Sequence, residues 1–216
     1  MAETAAAPLQ HHFESLEQQK EASSLAMWVF LITEILFFGG VFTAYLVYRM
    51  ANAEAFVAAS HHLDIALGAT NTVVLILSSL TMALAVHGAA HGSRPRTIGF
   101  LLATMLLGST FLAIKVVEYA HKFHDHLFPG LDFRFPGPLS RGAELFYSLY
   151  FAMTGLHALH MIVGIGLLTW LVLAARRGRF TAQYSSPVEM VGLYWHFVDI
   201  VWIFLFPLLY LIGRHG

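Results

Sequence analysis

Cysteine is absent from the 216-residue sequence. That excludes a disulfide framework and any thiolate metal ligand or nucleophile. Charge is scarce as well. Asp, Glu, Lys and Arg together make up 12% of the residues, against about 25% in a soluble domain. Neither sign dominates, the formal net charge being −1, so nothing suits a nucleic-acid partner. Residues 1–22 lack the charged start, apolar run and small-residue cleavage site of a signal peptide. There is no internal repeat and no pair of Gly- or Pro-broken apolar segments, the arrangement that builds a transporter's midplane site. What is abundant is apolar surface. Hydrophobic residues are 57% of the chain, the composition of an integral membrane protein.

About 20 apolar residues cross a bilayer core. Five stretches reach that length, at about 24–48, 65–86, 98–119, 143–175 and 191–213. They predict an all-α fold: a polytopic membrane protein built as a five-transmembrane-helix bundle. Residues 1–22 form a polar N-terminal tail and residues 23–216 the membrane domain. Gly39, Gly40 and Ala44 offer a small-residue face for close helix packing. Tyr45 and Tyr48 fit an interfacial belt. The loop 120–141 is the longest and carries Pro129, Pro136 and Pro138. Tight basic clusters at Arg94 and Arg96, and at Arg176, Arg177 and Arg179, fall in short connections on the side of Lys20. Arg49, Lys122, Arg134, Arg141 and Arg214 are spread over the other side. Short loops weigh most in the positive-inside rule, which puts the N-terminus in the cytoplasm and the C-terminus outside.

Thirteen histidines are many, but most lie at polar ends, including His11, His12 and His215. The intramembrane polar set is Glu34, Asn71, Lys115, Glu118, His157, His160, His196 and Asp199. Asn71 and Ser78 are seven apart on one helical face and can hydrogen-bond between helices. Lys115 and Glu118 are three apart and read as a local pair near the interface. His196 and Asp199 share a face and can satisfy each other or a neighbouring helix.

Three readings of this set stand open. In the structural one, buried polar groups pair across helices and fix one bundle; it is the default for any single residue. In the second, His157, His160 and His196 with the carboxylates hold iron or haem, as in a stand-alone membrane cytochrome or di-iron enzyme. The Glu-x-x-His repeats of di-iron bundles are absent, however. In the third, the set serves a proton- or lipid-linked role in a larger complex. Glu34 is its sharpest candidate, since a lone carboxyl at mid-membrane is a functional-site hypothesis by default.

Five stretches resemble subunit III of the haem–copper terminal oxidases, in the family's order. They are WVFLITEILFFGGVFTAYLVY, ATNTVVLILSSLTMALAVH, FLAIKVVEY, TGLHALHMIVG and YWHFVDIVWIFLFPLLYLIG. Longer members have two more helices before the one holding Glu34, so the chain is similar to the short, five-helix bacterial form. The resemblance implies a non-catalytic core subunit of a proton-pumping oxidase of aerobic respiration. It would sit in the bacterial inner membrane, packed on subunit I in a complex with subunit II. Haem and copper would reside in those partners, with no cofactor in this chain except bound phospholipid. The subunit would support proton uptake and sustained turnover. Cytochrome c is the expected electron donor. A quinol oxidase, or the accessory protein of nitric oxide reductase, is the alternative. Glu34 matches the family's carbodiimide-reactive carboxyl. Glu118, His157, His160, His196 and Asp199 match its other buried polar positions, and Asn71 the asparagine of its next helix. Glu34 is then expected to stay neutral and hydrogen-bonded inside the bundle, without carrying pumped protons.

Overall fold

A computed structural model describes residues 13–182 and 184–211. Most of the predicted tail, with His11 and His12, lies outside the described residues, as do residues 212–213 of the last predicted span, Arg214 and His215. Six α-helices follow one another: α1 (Leu16–Ala51), α2 (Ala53–Ser60), α3 (Ile65–Ala90), α4 (Arg94–His124), α5 (Ser140–Arg176) and α6 (Ser186–Phe206). A π-helical turn, Pro207–Leu211, extends α6. All but α2 are long and apolar enough to cross a membrane. The 26 residues of α3 run about 39 Å, beyond the roughly 30 Å of a hydrocarbon core.

Local signals set the helix ends. The Ser15 hydroxyl accepts from the Gln18 N–H at 3.1 Å, so α1 starts at Leu16 and takes in the last residues of the expected tail. Asp64 caps α3 by accepting from the N–H groups of Ala66 and Leu67 at 2.8 and 3.1 Å. Gly92, at φ +66°, turns the chain from α3 to α4 in a conformation that glycine adopts without strain. Lys122, expected in an outer loop, lies in the last turn of α4 and donates to the His62 carbonyl at 2.5 Å.

The bundle is organised around α6, which packs on α1, α3 and α5. Of its most apolar stretch 56% is buried, against 11% for α1. Close approach comes from glycines on the neighbours. A Cβ at Gly108 of α4 would stand 2.7 Å from the Trp195 ring, and one at Gly164 of α5 would stand 2.8 Å from it. Trp195 therefore fills a notch between two helices, and its indole N–H donates to Ser78 Oγ of α3 at 2.9 Å. One side chain ties α6 to three helices.

For α1 one expectation is corrected and another finds no partner inside the chain. A Cβ at Gly39 or Gly40 would meet nothing within 4 Å, so no helix among the described residues makes a close approach to this small-residue face. The close packing is made on α6, where Gly108 and Gly164 leave room for Trp195. Tyr45 is 1% exposed and belongs to no interfacial belt, whereas Tyr48 is exposed. Pro207 breaks the α-helical ladder, having no N–H to donate. In the π turn that follows, the Leu208 carbonyl accepts from the Tyr45 hydroxyl at 2.9 Å. Tyr45→Phe is expected to lower stability by about 0.5–1.5 kcal/mol, read as thermal unfolding in detergent. No change would show that this carbonyl has another donor.

Candidate functional site

Six of the eight intramembrane polar residues fall into three separate groups, with Asn71 and His157 apart from them. The first joins α1 to α5. His160 Nε2 lies 3.1 Å from Glu34 Oε2, and His160 Nδ1 lies 2.8 Å from the Leu156 carbonyl. A carbonyl only accepts, so Nδ1 carries the hydrogen. Nε2 then either accepts from a protonated Glu34 or, itself protonated, donates to a carboxylate. In both cases one proton is shared and the pair is neutral overall. The pair lines an open cleft of about 360 Å³ together with Met27, Phe30, Leu159 and Tyr194. The Tyr194 hydroxyl donates to the His160 carbonyl at 3.0 Å. Glu34 therefore stands at the wall of an open cleft and is hydrogen-bonded to the neighbouring helix there.

The second group is the Lys115–Glu118 pair. The local i,i+3 pairing is present, and the pair is buried inside the bundle: the side chains are 4% and 2% exposed, with Nζ 2.9 Å from Oε2. Lys115 also donates to the hydroxyls of Tyr150 and Tyr210, each at 3.1 Å. Both hydroxyls in turn donate to Glu118 Oε1, at 2.9 and 2.5 Å. The three ammonium hydrogens are thus used, and both carboxylate oxygens accept. The Lys115 ammonium also sits 5.2 Å from the centre of the Trp202 ring. Such closure offsets the cost of burying two charges. The i,i+3 spacing was visible in the sequence, but the tyrosines were not. They come from α5 and the π turn, and only the fold brings them to α4.

The third group lies on α6 and α3. His196 Nδ1 is 2.7 Å from Ser79 Oγ, so this nitrogen bonds to the neighbouring helix and not to Asp199. Neither oxygen of Asp199 reaches hydrogen-bonding geometry with a described residue, although the Ser79 hydroxyl lies beside it. Tyr150, Tyr194 and Tyr210 were not singled out from the sequence, and Ser79 was visible there only as a polar residue of its span. Hydroxyls on long apolar helices carry no spacing signal of their own. Ser78 does bond between helices, through Trp195. Asn71 is buried and makes no such bond among the described residues. His157 is buried between Phe111 and Trp202, its ring 5.3 Å from each, and neither of its nitrogens has a described partner. His157, His160 and His196 therefore sit in different surroundings. No three of His, Cys, Asp or Glu converge to hold a metal ion among the described residues.

Five long apolar helices with polar groups turned inward define a polytopic α-helical membrane protein. A family model for cytochrome c oxidase subunit III matches residues 10–214, and the chain belongs to that family. Its similarity extends to differently named oxidase subunits. Quinol oxidase subunit 3 of Bacillus subtilis is 31% identical over 93% of this chain and 94% of the relative. Cytochrome c oxidase subunit 3 of Thermostichus vulcanus is 33% identical over 88% and 87%. The heme-copper oxidase subunit I+III of Aeropyrum pernix is 32% identical over 89% of this chain and 23% of its own length.

Proposed function

We propose that the chain is the non-catalytic third subunit of a proton-pumping haem–copper terminal oxidase in a bacterial inner membrane. It packs on subunit I, holds phospholipid and supports proton uptake and sustained turnover, with its N-terminus cytoplasmic. The family match across residues 10–214 carries this reading. The structure supports it in one respect: the Glu34–His160 cleft opens between α1 and α5 with apolar walls at Phe30, Leu159 and Val163, the surface an acyl chain would need. Haem and copper belong to the partner subunits. The donor is cytochrome c or a quinol, since relatives named for each match most of the chain, and the complex that assembles decides it.

Purification in mild detergent tests the proposal. A haem- and copper-bearing subunit should come with the chain, and the separated chain should be haem-free. A chain that came out alone and still held iron would refute it and return His157, His160 and His196 to consideration as ligands.

Glu34→Gln keeps a hydrogen-bonding amide opposite His160. It is expected to leave initial turnover and proton pumping of the complex near the wild-type values. A large loss of initial pumping in that variant would mean that the carboxyl carries pumped protons.

A further inference from the structure

The outward face of α6, between α1 and α3, carries an unfinished polar site. Two adjoining grooves of about 400 and 500 Å³ share His196 and Ile200 as their floor. Ile35 and Gly39 of α1 wall one side, and Ile76 and Leu80 of α3 the other. His196 is half-buried there. Its Nδ1 is taken by Ser79. Its Nε2 has no hydrogen-bond partner among the described residues, and in either tautomer that nitrogen has a bond left to make. Asp199, 3% exposed and lining the same groove beside the Ser79 hydroxyl, makes no hydrogen bond of good geometry among the described residues. Leaving such groups unpaired against hydrocarbon is costly.

Depth narrows what can complete the site. His196 lies near the middle of the Ser186–Leu211 span and Ser79 near the middle of Ile65–Ala90. Phospholipid headgroups stand about 15 Å from that level, and acyl chains neither donate nor accept hydrogen bonds. The occupant is therefore a polar side chain carried into the membrane on another helix. Gly39, above which a Cβ would meet nothing within 4 Å, leaves the α1 backbone open to the close approach by which helices associate in lipid. The apolar rim, Ile76, Leu80, Ile200 and Ile203, is exposed.

We infer that this groove seats a transmembrane helix of the oxidase's haem-bearing subunit, with a polar side chain of that helix hydrogen-bonded to His196 Nε2. The inference rests on the subunit III reading above and adds to it the face and the anchoring atom. The Aeropyrum relative, whose name joins subunits I and III in one chain, fits a direct contact of this kind.

Photo-cross-linking in the intact complex tests it. A benzoylphenylalanine replaces Ile203 or Leu80 in the groove, or Leu106 on the outer face of α4, which is also exposed. Links from the two groove positions to the haem-bearing subunit, and none from Leu106, are expected. Links from the groove only to lipid or to a second copy of this chain, or no links at all, would overturn the inference while that subunit still co-purified. If no such subunit co-purified with the unmodified chain, the functional reading itself would fall, and the inference with it.

A side-chain pair gives a second readout. Asparagine places its amide near the Nδ1 position and keeps Ser79; glutamine places it near Nε2. His196→Asn should weaken retention in the complex by about three- to fifteen-fold, the range for one interhelical hydrogen bond in a membrane, with the isolated chain melting as before. His196→Gln should retain most of it. Equal retention of His196→Asn and the unmodified chain would refute the anchoring atom.

Discussion

Glu118→Leu is expected to destabilise the bundle by about 3–5 kcal/mol, the range for removing one partner of a buried ion pair. Its loss would strand the Lys115 ammonium, 3% exposed, in the interior. The hydroxyls of Tyr150 and Tyr210, which both donate to Glu118 Oε1, would lose their acceptor as well. The double variant Lys115→Met with Glu118→Leu removes both charges and should recover most of the loss, because apolar replacements of similar volume are often neutral. Thermal unfolding in detergent, followed for the two single variants and the double, reads this directly. A single Glu118→Leu variant within about 1 kcal/mol of wild type would contradict a desolvated pair.

Trp195→Ala is expected to cost about 3–5 kcal/mol, as large-to-small changes do in cores. The indole fills the space between Gly108 and Gly164 and bonds Ser78, so its removal opens a cavity and leaves a hydroxyl unpaired. The converse change, Gly164→Leu, drives carbon into the Trp195 ring and should cost about 1–3 kcal/mol. The two are predicted to compensate each other: leucine at 164 fills part of what alanine at 195 vacates. A double-mutant cycle should show a coupling of about 0.5–3 kcal/mol in the favourable direction. Simple additivity would mean that the indole does not sit in the glycine notch.

Hydropathy alone located all five spans, because a bilayer demands a long apolar run whatever the helices do next. The intramembrane acids, the lysine and the deep histidines were legible for the same reason: a polar residue is conspicuous in an apolar stretch. Their partners were not. Lys115 and Glu118 looked like a neighbourly pair because their spacing is local. Their burial depends on Tyr150 and Tyr210, which lie 35 and 95 positions from Lys115. Glu34 found His160 at a separation of 126, a pairing no periodicity encodes. The small face of α1 was legible but its partner was not, since Gly39 and Gly40 show that close packing is allowed there without saying who approaches. Tyr45 misled for a related reason. Its position near a helix end suggested the membrane surface, but the broken backbone at Pro207 claims its hydroxyl.

The hub position of α6 bears on how the protein is made. A ribosome delivers α1, α3, α4 and α5 before it delivers the helix on which α1, α3 and α5 pack. Until then Lys115 and Glu118 lack the Tyr210 hydroxyl, 92 residues downstream of Glu118, and the notch at Gly108 and Gly164 stands vacant. The early helices must therefore wait in the translocon or with a chaperone, their polar faces unmatched. A chain cut short before Trp195 would be left with a charged pair it cannot finish enclosing, a recognisable mark for membrane proteases.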